Sequence, residues 1–340
     1  MRIALDAMGG DHAPTVTVEG AVECVREHPD LEVVLVGDRE ALEQELSNKK
    51  FPSSRISIRH ASEVVLMDDP PSHAIRRKKD SSLRRAFEMV KEKNADAVVS
   101  AGNSGAAMAL ALFMLGTLPG VGRPAIAATM PTFRRPFVLI DAGANVDCDP
   151  GNLFQFALMG EAYSRLILGR ESPRIGLLSI GEEATKGNEL TKETFKLLMA
   201  SNVNFIGNIE GKDVFSGSAD VVVCDGFVGN IVLKTSEGLA EVIIKMLKKE
   251  MIEVASGRLG YLMMKSAVKN FRKKTDYAEY GGAPLLGING TCIISHGRSS
   301  AKAIRNAIRT AAEFSSKKVY EAIAREIDNA RLPEKPVITG

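Results

Sequence analysis

The chain contains no tryptophan, and Phe, Tyr and Trp together make up only 5% of its 340 residues. A nucleic-acid groove built on stacked aromatics interleaved with basic residues is not present. The formal net charge of +2 gives no global field for a polyanion either. Cysteine is equally scarce. Cys24, Cys148, Cys224 and Cys292 lie far apart, with no C-x-x-C pair and no histidine at zinc spacing. That argues against a disulfide scaffold and a structural zinc, and for reduced thiols in a cytosolic protein. No run reaches the roughly 18 uninterrupted apolar residues of a spanning helix. The opening MRIALDAMGGDHAP meets Asp6 too early to serve as a signal peptide. The chain has no P-loop and no G-x-S-x-G elbow, and no G-x-G-x-x-G follows its first strand. Asp38, after LEVVLVG, stands where a ribose-binding acid would, but without that glycine fingerprint a dinucleotide site is disfavoured.

What the chain does have is an ordinary globular balance, 45% hydrophobic and 25% charged, and a regular rhythm. Short apolar runs such as RIALDA, LEVVLVGD, ADAVVSA, PFVLIDAG, RIGLLSIG and ADVVVCDG read as strands, several without alternation, as strands buried on both faces should. Amphipathic stretches such as SSLRRAFEMVKEK, TKETFKLLMAS and AKAIRNAIRTAAEF lie between many of them. The pattern predicts an α/β fold, a largely parallel sheet with helices on both faces. Residues 123–141 give two strands joined by TFRRP, a hairpin or a sheet edge. Composition never shifts sharply, so the chain reads as one domain over 1–340, with two interlocked lobes possible and no seam to place.

Ligands of such sheets bind beyond the carboxyl ends of the strands. Here those ends carry DAMGGDH, SAGNSGA, DAGANVD, SIGEEATKGN, NIEG, DGFVGN and SHGRSS. Taken singly, each is a glycine turn with a capping Asn, Asp or Ser. Seven on one edge of one sheet would line a polar cleft. Two of them echo each other: ADAVVSAGNSGAA at 95–107 and ADVVVCDGFVGNI at 219–231 share the frame A-D-x-V-V-x-x-G-x-x-G. A glycine turn at a helix start exposes backbone N–H groups and the positive end of the helix dipole, which suits a phosphate. Asn103, Ser104 and Gly105 occupy that position in the first copy, and Gly229 and Asn230 in the second, with Lys234 one turn on. Gly105 and Gly229 serve equally well for close helix–strand packing. Lys186, beside Gly187 and Asn188, is either a phosphate or oxyanion ligand or a solvated loop charge. His296 suits a general acid or base, a donor to substrate, or a structural role. Asp6, Asp11, Asp141, Asp147 and Asp149 crowd strand ends, but no spacing identifies a metal site, and caps explain them better.

From Thr235 to about residue 276 the chain reads as a protruding helical hairpin. Ile243, Ile244, Leu247 and Met251 form an apolar stripe. Its tip would carry Leu259, Tyr261, Leu262 and Met263 among basic residues. A dimer interface and an interfacial membrane contact both fit.

The motifs MRIALDAMGGDHAP, SAGNSGA, DAGANVD, GEEATKGN, FIGNIEG, DGFVGN and GGAPLLG, in this order, resemble the PlsX-type phosphate acyltransferases of bacterial phospholipid synthesis, over nearly the whole chain. The resemblance implies a three-layer α/β/α fold like those of isopropylmalate dehydrogenase and phosphotransacetylase, usually as a homodimer. It implies transfer of a fatty acyl group from acyl carrier protein to inorganic phosphate, without a cofactor. A membrane glycerol-3-phosphate acyltransferase would consume the acyl-phosphate. The protein would be cytoplasmic, with peripheral contact to the membrane through the hairpin tip. Phosphate is its own nucleophile, so the site need only hold it beside a thioester and stabilise the oxyanion. On this reading Lys186 carries phosphate or oxyanion charge, Asn230 and Asn103 orient phosphate or the thioester carbonyl, and Ser104 donates to them. His296 assists the leaving thiol. Gly105, Asp141, Asn145, Asn188 and Gly229 complete the phosphate-binding set. An acyl-CoA:phosphate acyltransferase resembling phosphotransacetylase is the alternative.

Overall fold

The computed structural model describes residues 1–253 and 281–330. Eleven strands among them form one sheet: β1 (Arg2–Asp6), β2 (Glu32–Gly37), β3 (Ile56–His60), β4 (Ala97–Ser100), β5 (Ala125–Met130), β6 (Phe137–Ile140), β7 (Ile175–Ser179), β8 (Phe205–Glu210), β9 (Val221–Val223), β10 (Ala283–Leu286) and β11 (Cys292–Ile294). Their order across the sheet is β3-β2-β1-β4-β11-β10-β5-β6-β9-β7-β8. Helices α1 (Thr15–Glu27), α2 (Arg39–Ser47), α3 (Pro71–Arg76), α4 (Ser82–Lys91), α5 (Ser104–Met114), α6 (Pro150–Leu166), α7 (Glu189–Met199), α8 (Gly226–Glu253), α9 (Ala301–Ser316) and α10 (Val319–Asn329) connect and cover them. β4, β6 and β9 are buried at every position, which explains why their sequences do not alternate. One core cluster packs α1, α6 and α9 on one face; two others fill the opposite face. Gly20 lets α1 lie directly on α9, where a Cβ would stand 2.6 Å from the Ala301 carbonyl oxygen.

Strand direction corrects the expectation of a single ligand-bearing edge. β11 pairs antiparallel with β10, β10 with β5, and β5 with β6. Three reversals leave β6, β9, β7 and β8 running opposite to β1, β4 and β11. The turns after β1, β4 and β11 therefore lie on one edge of the sheet, and those after β6, β7, β8 and β9 on the other. TFRRP is a hairpin, but it sits between central strands rather than at a sheet edge. Thr132 Oγ1 accepts from the N–H groups of Arg134 and Arg135, both at 3.0 Å, and closes its turn.

α8 joins the two edges. It starts beyond the end of β9 and rests on the sheet through half-buried Val232 and Leu233. Phe227, Ile231, Leu239 and Met246 are exposed along it, the last by 62%. The excursion expected from Thr235 thus begins inside a continuous helix. The proposed membrane-contact residues Leu259, Tyr261, Leu262 and Met263, and the hairpin beyond Glu253, lie outside the described residues.

Candidate active site

On the first edge a buried carboxylate organises three turns. Asp6 ends β1 and is 2% exposed. It accepts from Ser82 Oγ at 2.6 Å and from Ser100 Oγ at 2.8 Å. Burial pushes its pKa up, and these hydroxyls together with the Met8 and Gly9 backbone oppose the shift. Ser100 Oγ in turn accepts from Gly102 N, so Asp6 reaches the echoed turn after β4. The turn after β1 packs against the same place. A Cβ on Gly9 would collide with the Asp6 carboxylate, and one on Gly10 would press on the Ala101 and Gly297 carbonyls. Asp11 N donates to Gly297 O at 2.8 Å, tying in the turn after β11.

Asn103 stands at the N-cap of α5, with both ends of its amide engaged. Its Oδ1 accepts from Ala106 N at 2.9 Å. Its Nδ2 faces the carbonyls of Leu66, Met67 and Asp69 at 3.2, 3.0 and 2.9 Å. The side chain is thus a scaffold, not a group open to phosphate. The N–H groups of Ser104 and Gly105 differ. They open the first turn of α5, and among the described residues they donate to no protein acceptor. Ser104 is exposed. An anion placed there would meet two N–H groups, a hydroxyl and the helix dipole.

His296, on the same edge, is half-buried. Its Nδ1 accepts from Arg298 N at 3.1 Å, which leaves Nε2 to carry the proton of the neutral ring. Burial lowers its pKa, helped by the positive charges of Lys234 and Arg298 and opposed by Glu237 and Asp11. Lys234 and Glu237 belong to α8 and pair at 3.0 Å. The second half of the molecule thus reaches the first through α8.

On the second edge the matching carboxylate is Asp141, after β6. It is fully buried and accepts five N–H bonds. Oδ1 takes Ile126 N, Gly143 N and Ala144 N; Oδ2 takes Asn145 N and Asn145 Nδ2, both at 2.8 Å. Burial raises its pKa, and the donors from Ala144, Asn145 and Ile126 oppose the rise. The other hydrogen of Asn145 Nδ2 goes to Pro124 O at 2.7 Å. Asp141 and Asn145 were both expected to bind phosphate. Instead they spend their polar atoms on each other and on the loop.

α8 is built onto that loop. Gly226 N donates to Asn145 O at 2.7 Å, and a Cβ on Gly229 would overlap the Asp141 carbonyl oxygen. Gly229 is therefore a packing glycine. Asn230 lies against Gly143 and is itself exposed. Most of the N-terminus of α8 is already satisfied: Val228 N by Asp225 Oδ1 and Gly229 N by Asp225 O, while Phe227 N meets no acceptor among the described residues. The two echoed turns therefore differ. The first leaves two adjacent N–H groups open, those of Ser104 and Gly105, and the second leaves one, that of Phe227. Lys186 and Asn188 lie on this edge too, beyond β7. Lys186 is exposed, and Asn188 caps α7 through Thr191 N at 2.9 Å.

The cysteines stay out of this chemistry. Burial pushes the thiol of Cys148 up to about 11 and that of Cys292 up to about 12, and holds Cys224 well above its ordinary value. All three are neutral at physiological pH and poor nucleophiles. Sequence reasoning missed Leu66 and Met67. They precede DDPPS in an irregular loop and carry no motif. The bonds from Asn103, and the approach of Met67 to Gly297, bring them to the site.

A mostly parallel sheet, helices on both faces and open helix-start donors beside a neutral histidine define an α/β protein suited to anion chemistry. The model of the family described as fatty acid synthesis protein matches residues 1–322, and the chain belongs to that family. It is 58% identical over 328 residues to a phosphate acyltransferase of Thermodesulfovibrio yellowstonii, covering 96% of this chain and 94% of that one. It is 56% identical over the same length to a phosphate acyltransferase of Geobacter sulfurreducens, with the same coverage. Among solved structures, a phosphotransacetylase from Streptococcus pyogenes shares the fold with a TM-score of 0.63, at 20% identity and 94% coverage of both chains.

Proposed function

We propose that the protein transfers an acyl group from a thioester to inorganic phosphate, releasing a thiol and an acyl-phosphate. The relatives named phosphate acyltransferase, at more than half identity over nearly the full length, carry this reading. The open donors at Ser104 and Gly105 fit it chemically. Phosphate adds to the thioester carbonyl, forming the C–O bond and a tetrahedral oxyanion; the C–S bond then breaks, and the leaving thiolate takes up the proton that hydrogen phosphate gives up. No side-chain nucleophile is needed. The backbone donors and Ser104 Oγ hold phosphate, and Nε2–H of His296 is a donor for the oxyanion or the leaving sulfur. Asn230 and Lys186 supply an amide and a charge from the second edge.

Acyl carrier protein is the proposed thioester carrier, and a homodimer the proposed assembly, with the exposed apolar residues of α8 as its interface. Residues 1–340 form one acyltransferase unit on this reading, and 235–276 a projection that reaches the inner face of the membrane, where the acyl-phosphate is consumed. Among the described residues no helix is long and apolar enough to cross a membrane. The test is direct. Lys186→Ala and Asn230→Ala variants that fold normally should lose phosphate-dependent thioester cleavage. Wild-type rates in both would remove these residues from the mechanism.

A further inference from the structure

We infer that Leu66 and Met67 form the platform on which the acyl chain of the substrate lies, an inference that rests on the acyl-transfer reading above. The loop over residues 64–69 is pinned by polar bonds at four of its six residues, Val64, Leu66, Met67 and Asp69. Asn103 Nδ2 donates toward the carbonyls of Leu66, Met67 and Asp69. Asp69 Oδ2 accepts from Leu66 N at 2.7 Å and from Lys78 Nζ, which also donates to Val64 O at 2.6 Å. Such fixation could have turned two large apolar side chains inward. Instead Leu66 is 55% exposed and Met67 51%. Adjacent exposed apolar residues on a rigid loop mark a contact surface rather than a folding element.

Their position identifies the occupant. Asn103, which grips this loop with Nδ2, caps with Oδ1 the helix whose first turn offers the open donors of Ser104 and Gly105. Met67 Cε also lies 3.1 Å from where a Cβ of Gly297 would stand, next to His296. The lip therefore borders both the proposed phosphate turn and the histidine loop. An acyl chain begins one bond from the carbonyl that phosphate attacks, so its first methylenes must lie beside whatever holds phosphate. A saturated chain needs apolar contact and no hydrogen bonds, and the flexible thioether of methionine accommodates chains of different length.

The experiment compares palmitoyl and butyryl carrier-protein thioesters at saturating phosphate, using the full chain. Both side chains are exposed, so a Leu66→Ser, Met67→Ser double variant should fold as wild type does. Its ratio of kcat/KM for palmitoyl over butyryl should fall about tenfold, equivalent to roughly 1.4 kcal/mol of lost chain contact. The KM for phosphate should stay unchanged. Leu66→Met with Met67→Leu should restore the ratio. An unchanged ratio, or an equal loss with both substrates, would overturn the inference while leaving acyl transfer intact. So would a variant that loses binding to anionic vesicles yet keeps its palmitoyl kinetics, which would assign the lip to a lipid surface. No acyl-phosphate from the wild-type protein would overturn this inference and the acyl-transfer reading together.

Discussion

Replacing Asp141 by asparagine leaves the side-chain shape intact and converts one acceptor oxygen into a donor. In the native structure Oδ1 accepts three N–H bonds and Oδ2 two. The less costly orientation keeps the asparagine oxygen on the side of Ile126, Gly143 and Ala144 and turns its NH2 toward Asn145. Two short bonds, both at 2.8 Å, are then lost, and donor faces donor. At about 1–3 kcal/mol for each buried donor left unsatisfied, the cost is about 2–6 kcal/mol. A neutral side chain recovers some of the desolvation that raises the Asp141 pKa. That recovery does not offset the loss, because every group facing the carboxylate is a donor. The damage should spread to α8, which rests on Asn145 O and Gly143. Urea unfolding should show a lower midpoint at unchanged slope, and acyl-phosphate formation should fall in parallel. A cost below about 0.5 kcal/mol with wild-type activity, within the range of an ordinary surface substitution, would refute the claim that Asp141 holds this loop in place.

Gly229→Ala should destabilise the fold by about 1–3 kcal/mol or more, since the added methyl overlaps the Asp141 carbonyl oxygen and α8 must shift; thermal unfolding measures this. Asn103→Ala and Ser104→Ala should separate. The first removes a helix cap and three loop contacts and should cost about 1–2 kcal/mol in stability. The second should leave stability near wild type and raise the KM for phosphate. His296 makes a pH prediction. Its folded pKa lies below the ordinary value of about 6.5, so the unfolded chain takes up that proton first. The contribution to stability is complete above pH 6.5 and is lost as pH falls through that value toward the folded pKa. A His296→Gln variant should therefore lose less stability than wild type between pH 7 and 5, and parallel curves would contradict the assignment.

The rhythm of the fold was legible because its cause is local. Strands buried on both faces, such as Val221–Val223, must be uniformly apolar, and helices such as α9 must show one apolar stripe. The direction of the second half was not legible. It depends on β10, whose short run APLL contains Pro284, a residue that reads against a strand interior. Without β10, TFRRP reads equally as a hairpin or a sheet edge, and all the turns share one side. The capping roles of Asn103 and Asn188, and the packing role of Gly229, were among the meanings that glycine and asparagine turns allow. Choosing between capping and ligand binding required the partners: Ala106 N and the carbonyls of the loop at 64–69 for Asn103, the Asp141 carbonyl for Gly229. Asp6 ends β1 and Asp141 follows β6, in the similar words LDAMGG and IDAGAN, and both are buried hubs. Sequence marked their turns but not their burial, which is set by strands from distant parts of the chain.

The most direct test of the account is product formation. Purified protein incubated with palmitoyl carrier protein should convert the thioester to palmitoyl-phosphate and free thiol in equal amounts, at a rate that rises with phosphate and saturates. Folded protein that leaves the thioester intact, or that releases free fatty acid at a rate indifferent to phosphate, would contradict it.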